Sequence, residues 1–217
     1  MGVGVTAGLL LAGLIAVATG PQTPPIFNTG APGAPARVIS AGEAVALSRT
    51  TFTAGDAAFM QHMIVHHAQA VEMVELLQTR GANASVRRLG QRIAIGQQAE
   101  MDLMRGWLAE RGQPLEMAGM DHSAHAGHAM PAADTPLMPG MLSPARMQAL
   151  AAAVGPAFDR LFLEGMVQHH QGALDMVDAL MAQPGAAEDV MLSDFTISVV
   201  ADQSAEILRM QSLLSDL

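Results

Sequence analysis

Two pairs of adjacent histidines stand between methionines in this sequence. Each pair follows the pattern Met-x-x-His-His and is followed by a further methionine. The residues are Met63, His66, His67 and Met73 in the first motif, and Met166, His169, His170 and Met176 in the second. Imidazole nitrogen together with thioether sulfur suits copper, whereas zinc would leave the thioethers unused. We predict that these residues bind copper, as Cu(I), Cu(II) or both, and rank zinc behind it.

The two motifs are not equivalent. His62 lies four residues before His66, a spacing that places two imidazoles on one helix face and suits a shared metal. The corresponding position of the second motif is Gly165. We therefore predict His62 as an accessory ligand and the first motif as the richer site.

A third Met- and His-rich stretch, MAGMDHSAHAGHAM, occupies residues 117–130. Short histidine-rich tracts bind metals, and interleaved thioethers favour copper. We predict a lower-affinity copper capture site here; the alternative is a low-complexity linker without specific binding. The candidate ligands are Met117, Met120, His122, His125, His128 and Met130.

The histidine motifs belong to a longer internal repeat. Residues 56–77, DAAFMQHMIVHHAQAVEMVELL, align with residues 159–180, DRLFLEGMVQHHQGALDMVDAL, and each segment is followed by Gln-x-x-Glu-x-x-x-Met. Gly81 and Pro184-Gly185 are turn signals that divide each copy into a helix pair. One helical hairpin exposes an apolar face, and two can close into a four-helix bundle.

Helical periodicity places the histidines relative to the core. Phe59, Met63, His66, Ala70 and Met73 recur at intervals of four and three, the stripe of a core-facing helix. The pattern predicts the first histidine of each pair in the core and the second on its flank.

The second helix of each copy carries one Gln and one Glu in an otherwise apolar stripe. These are Gln97 and Glu100, and Gln203 and Glu206. We expect them to support the histidines and fix their tautomers without ligating the metal. The alternative is a metal-free core in which the glutamates simply pair with His66 and His169.

Composition limits the class of protein. Hydrophobic residues make up 50% of the chain and aromatic residues 3%, with 17 Met and no Tyr, which favours an all-α fold. The absence of Cys excludes disulfides and thiolate metal sites. A net charge of −9, with no Lys, argues against nucleic-acid binding and favours cations as partners.

The N-terminal sequence points to export. Residues 1–20 are uncharged and mostly apolar, and are predicted to be a signal peptide or a membrane anchor. Residues 21–53 are predicted to be a flexible linker, and 54–217 a single helical domain made of repeat 1 (54–112), the Met/His-rich linker (113–142) and repeat 2 (143–217). The protein is thus expected on the periplasmic or extracellular side of the cell envelope, secreted or tethered to the membrane.

The pattern D-x-x-F-x-x-x-M-x-x-H-H-x-x-A-x-x-M, found once in each repeat, resembles the DUF305 family of bacterial secreted proteins. The resemblance covers about residues 54–112 and 143–217. It implies a ferritin-like four-helix bundle built from two tandem helix-pair repeats. Some members of the family are exported copper-binding proteins linked to copper resistance.

Together these patterns predict an extracytoplasmic copper-binding protein, acting in copper sequestration, delivery or tolerance, and not an enzyme. Two alternatives remain open: a metal-dependent redox enzyme that uses the same core, and a metal-free structural or interaction module. Di-iron catalysis is disfavoured because the Glu-x-x-His motif of di-iron bundles does not occur in the sequence. The sequence does not identify a protein partner.

Overall fold

The computed structural model describes residues 24–29, 33, 35–48, 51–115 and 137–217. The predicted signal or anchor segment (1–20) and the Met/His tract (117–130) lie outside the described residues. The chain divides into two units, Met1–Arg49 and Thr50–Leu217. Within the described ranges, no helix combines the length and apolar character needed to cross a membrane.

The described part of the first unit contains regular structure where composition predicts a flexible linker. Strands β1 (Ile26–Asn28) and β2 (Arg37–Ile39) pair in antiparallel register, with Phe27 opposite Val38. Helix α1 (Ala41–Ser48) follows. Apolar and β-branched residues flank the Gly- and Pro-rich stretch and form the short ladder. The described part of the chain is therefore mostly helical, as the sequence predicts, with one short antiparallel ladder in the first unit.

Four long helices and one short helix make up the second unit. They are α2 (Ala54–Arg80), α3 (Ala84–Glu110), α4 (Pro144–Ala152), α5 (Gly155–Met181) and α6 (Val190–Ser215). Helix α2 packs on α3, α5 packs on α6, and the two pairs meet mainly through α2 and α5. Helices α3 and α6 make much less contact with each other.

Local sequence signals explain where two of these helices begin. Thr53 caps α2 by accepting a hydrogen bond from the Asp56 backbone N–H at 3.0 Å, while the Asp56 carboxylate accepts one from the Thr53 N–H at 2.8 Å. Ser143 caps α4 by accepting a hydrogen bond from the Arg146 N–H, and Pro144 occupies the first turn.

Two apolar clusters form the core, and each draws on both helix pairs. The first contains Met63 of α2 and Met176 of α5; the second contains Met73 of α2 and Met166 of α5. The order of the clusters along α5 is the reverse of their order along α2. The two helices therefore run antiparallel, and the histidines, which lie between these methionines in each sequence, occupy the level between the clusters.

Candidate metal centre

All four paired histidines are completely buried. His66, His67, His169 and His170 each have 0% relative exposure. Periodicity predicts His67 and His170 on the flank of the core, but the structure covers that flank with α3 and α6. The four imidazoles therefore form one buried group, which we call the histidine layer.

The first histidines of the two pairs touch each other at the middle of the layer. The ring centroids of His66 and His169 are 3.9 Å apart and the planes are inclined at 41°. His66 Nε2 lies 2.9 Å from the carbonyl oxygen of Pro139, and His169 Nε2 lies 2.9 Å from the carbonyl oxygen of His66. A carbonyl only accepts hydrogen bonds, so each Nε2 carries a proton, and the Nδ1 lone pair of each neutral ring remains free.

The second histidines bond to the glutamates of the neighbouring helices. His67 Nε2 donates to Glu100 Oε2 at 2.6 Å, and His170 Nε2 donates to Glu206 Oε2 at the same distance. The metal-free alternative from the sequence pairs these glutamates with the first histidines instead. In the structure each glutamate meets the histidine one residue further on.

Burial keeps the central histidines neutral. Loss of solvation, reinforced by the nearby His67, lowers the pKa of His66 from 6.5 to about 3, and the hydrogen bond to Pro139 offsets only part of this. Loss of solvation, together with the neighbouring His66, also holds the pKa of His169 well below its usual range. Neutral imidazole is the form that coordinates metals.

The histidine layer contains buried polar atoms that have no hydrogen-bond partner among the described residues. The Nδ1 atoms of all four histidines have no hydrogen-bond partner among the described residues. Beside them, Gln97 and Gln203 are 3% and 2% exposed, and within the same ranges Gln97 Oε1 and both amide atoms of Gln203 are unpartnered. Buried polar atoms without partners are costly, so this layer fits an occupant that accepts the lone pairs of the Nδ1 and Oε1 atoms.

The methionines of each motif lie apart from one another. Met63 and Met73 flank His66 along α2 but belong to different apolar clusters, and each cluster pairs a methionine of one motif with a methionine of the other. A Cβ placed on Gly165 would lie 3.2 Å from Met73 Cε, which shows how closely α5 approaches this side chain. Any thioether ligands would therefore come from both helix pairs.

His62 is separate from the layer. Its side chain is exposed and lines a surface cavity of about 300 Å³ together with Met176, Phe59 and Gln183. The structure thus brings the predicted accessory ligand next to a predicted thioether, but outside the buried group.

Sequence reasoning missed a segment that covers one side of the layer. Residues 138–142, which we call the strap, run over α2 and α5. Gln69 bonds both the N–H and the carbonyl of Leu142, at 2.7 and 2.9 Å, and Gln168 donates to the Gly140 carbonyl at 3.1 Å. The available signal was a glutamine close to the histidine pair in each repeat, together with Met138 and Met141, which flank the strap's Pro-Gly.

The donor set fits copper better than a hard metal. In the described part of the chain, no group of three or more His, Asp or Glu side chains is arranged to hold a metal ion. Imidazole in the layer and thioether sulfur in the clusters on either side of it are donors that a soft ion prefers. The predicted ligands of residues 117–130 lie outside the described residues, so the tract stays a prediction.

Comparison with known proteins identifies the fold. A DUF305 fragment from Deinococcus radiodurans is 29% identical, with a TM-score of 0.61 over 76% of this chain and 99% of that one. A protein from Streptomyces coelicolor, described as a predicted secreted DUF305 protein, is 28% identical, with a TM-score of 0.60 over 75% and 93%. CopM in its Cu(II)-bound form is 25% identical, with a TM-score of 0.54 over 74% and 96%.

No curated protein matches the chain closely enough to count as a relative. The sequence model of the DUF305 domain, a domain of unknown function, matches residues 56–214. This range contains both histidine pairs and nearly the whole of the four long helices, and the chain belongs to the DUF305 family.

Proposed function

We propose that this chain is a non-enzymatic copper-binding protein of the cell envelope, which sequesters or delivers copper. Helices α2, α3, α5 and α6 would form a ferritin-like four-helix bundle from two tandem repeats, with the metal held at the histidine layer. One observation carries the proposal: four buried imidazoles have their Nε2 atoms engaged and their Nδ1 atoms without a partner in the described residues.

The electrostatics of the layer support a soft cation. The low pKa of His66 and His169 keeps both rings neutral and able to donate a lone pair at physiological pH. Met63, Met73 and Met166 are fully buried and Met176 nearly so, and they lie on either side of the layer. Imidazole and thioether together favour copper over zinc.

Two similarities agree with the proposal. CopM, with which this chain shares its fold at 25% identity, was solved with Cu(II) bound. The Streptomyces coelicolor protein is described as a predicted secreted protein, which matches the export expected from residues 1–20. The Met/His tract of residues 117–130 would act as a lower-affinity capture site.

The proposal is tested by replacing the central histidines. We expect the double variant His66→Gln/His169→Gln to lose most Cu(I) that wild type retains against a moderate chelator, because two neutral imidazoles are removed while polarity is kept. His62→Gln, measured beside it, tests the predicted accessory ligand separately, since His62 is exposed and lies outside the layer. Circular dichroism of each variant verifies that the helices are intact.

Equal copper retention by the double variant and wild type would contradict the bundle site. Copper that instead disappears after substitution of His122, His125 and His128 would place all binding in the tract.

A second candidate function is favoured by the bonds between the second histidines and the glutamates. His67–Glu100 and His170–Glu206 are short, largely buried pairs that could serve only to specify the packing of a helical interaction module. Metal analysis of the protein purified from copper-supplemented cells separates the two: stoichiometric copper supports the metal site, and its absence supports the structural module.

A further inference from the structure

A groove runs between α3 and α6, the two long helices that make little contact with each other. It encloses about 340 Å³ and is lined by Gln97 and Glu100 of α3 and by Gln203 and Glu206 of α6. These are the four polar side chains that sequence periodicity assigns to the core. In the structure they form the floor of an opening to solvent.

The glutamates connect this groove to the histidine layer. Their side chains are 20% and 27% exposed, whereas the imidazoles they touch are 0% exposed. Each carboxylate therefore has one oxygen bonded to a buried ring and also reaches solvent. Neither His67 nor His170 has such access of its own.

Buried amides line the same cavity. Gln97 and Gln203 are at least 97% buried, yet their side chains belong to the groove wall, and Gln97 Oε1 and both amide atoms of Gln203 lack a partner among the described residues. Unpartnered amide atoms from both helices thus lie in the same groove wall as the two carboxylates, whose bonds to His67 and His170 use one oxygen each.

The opposite side of the layer is covered. On this side of α5, Gln168 donates a hydrogen bond to the strap. His170 lies two residues later, about 200° around the helix axis, and its side chain bonds Glu206 in the groove. The strap lies close on α5: a Cβ on Gly172 would be 2.1 Å from the Pro139 carbonyl oxygen. The groove is therefore the more open approach to the second histidines.

Charge differs between the two ends of the groove. One end carries Arg92 and Arg209. At the other end the groove shares Glu100 and Asp202 with an adjoining cavity that adds Asp194 and the ion pair of Arg111 with Asp189. A cation is favoured at this acidic end.

We propose that the α3–α6 groove is the entrance through which copper ions reach the histidine layer, with the Gln97, Gln203, Glu100 and Glu206 oxygens as a transient binding site. This inference rests on the proposed function. A copper ion approaches from the acidic end, is held by oxygen ligands, and passes to the imidazoles beside the two glutamates.

Gly96 offers a direct test because it lines the groove at the acidic end, and a Cβ placed on it meets nothing within 4 Å. The series Gly96→Ala, Gly96→Leu and Gly96→Trp narrows the opening progressively without disturbing the core. Gly106 is the matched control: it lies on the same helix, is exposed, and also has open space around its Cβ. All proteins in the series also carry His122→Ala, His125→Ala and His128→Ala, so that the histidines of the Met/His tract do not contribute to the measured copper.

Apo protein is mixed with Cu(II), excess EDTA is added after timed intervals, and protein-bound copper is measured after desalting. We expect Gly96→Trp to slow loading by about tenfold or more, with Gly96→Ala near wild type and Gly96→Leu between them. Final copper content should be unchanged, and Gly106→Trp should load like wild type.

Failure of the proposed route and failure of the proposed function give different results. Equal loading rates in Gly96→Trp and Gly106→Trp, with normal final copper, overturn the route and leave the copper site intact. A parent protein whose final copper does not depend on His66 and His169 overturns the proposed function, and the route with it.

Discussion

The position of the protons on the four histidines decides what the layer can do. Backbone carbonyls accept from Nε2 of His66 and His169, and carboxylates accept from Nε2 of His67 and His170. All four rings therefore keep Nδ1 as the free nitrogen. Orientation of a ligand through its other ring nitrogen is how protein surroundings usually prepare an imidazole for a metal.

The depressed histidine pKa values predict a pH dependence for the metal-free protein. The unfolded chain takes up protons on His66 and His169 near pH 6.5, whereas folded His66 does so only near pH 3. The unfolded state thus binds more protons in this window, so stability is full above pH 6.5 and declines as pH falls toward 3. A pKa difference of one corresponds to about 1.4 kcal/mol, and the loss should amount to several kcal/mol.

Urea denaturation of the apo protein between about pH 6.5 and pH 4.5, above most of the carboxylate titration range, measures this effect. His66→Gln/His169→Gln should show a much shallower slope of unfolding free energy against pH. A slope equal to that of wild type would assign the acid sensitivity to other groups.

At the scale of elements, the strap depends on two glycines that let the backbones of two segments touch. Gly140 has a φ of +75°, and Gly172 lies against it in the middle of α5. Any side chain at position 172 would meet the strap backbone, which cannot turn aside as a flexible side chain can. These glycines explain how the Pro139 carbonyl comes within reach of His66.

We expect Gly172→Ala to destabilise the protein by about 1–3 kcal/mol, because the new methyl group displaces the strap from Gln168 and His66. Gly106→Ala is the matched control, since its Cβ meets nothing, and it should stabilise the helix by about 0.5–1 kcal/mol. Thermal denaturation of both variants measures the difference. Equal melting temperatures for the two variants would mean that the strap is displaced without loss of folding free energy.

The helices could be predicted from the sequence where periodicity and turn signals agree. Residues 54–111 resolve into α2 and α3 around Gly81, and the second repeat, predicted from residue 143, begins with the cap of α4. The strap escaped prediction because its bonds join Gln69 to Leu142, a contact that no local pattern encodes. The hairpin of the first unit was not predicted because its two strands have only three residues each and Gly and Pro dominate the sequence between them.

Part of the candidate site was also beyond sequence reasoning. Spacing along one helix groups Met63, His66 and Met73, but packing divides the methionines between two clusters. Periodicity likewise places His67 on a flank, because it describes one helix and not the helix that covers it. The identity of the buried polar residues was predictable; their partners depend on the antiparallel arrangement of α2 and α5.

At the scale of the whole unit, two equivalent aspartates tie the helix pairs together. Asp56 at the start of α2 accepts a hydrogen bond from the Ala187 N–H, in the turn between α5 and α6, at 2.9 Å. Asp159 of α5 accepts bonds from the N–H groups of Ala82 and Asn83, in the turn between α2 and α3, at 3.1 and 2.8 Å. Each helix pair thus stabilises the turn of the other pair. The histidine layer lies between these two sets of hydrogen bonds.

This reciprocity predicts that the second unit unfolds as one cooperative body. Asp159→Ala removes the acceptor for two backbone N–H groups, and a buried donor left unpaired costs about 1–3 kcal/mol. Asp56→Ala should cost a similar amount, because it frees the Ala187 N–H and also breaks the cap at Thr53. Asp175→Ala is the control, since Asp175 is exposed and bonds only the neighbouring Gln171 in the described contacts.

Urea titrations followed by circular dichroism and by the fluorescence of Trp107 report on all helices and on the first cluster, respectively. Both probes should give one coincident transition in each protein, shifted to lower urea in Asp56→Ala and Asp159→Ala and unchanged in Asp175→Ala. Two separated transitions in wild type would show that the helix pairs fold independently. The layer would then assemble only after each pair had formed, because its central contact, His66 against His169, joins one pair to the other.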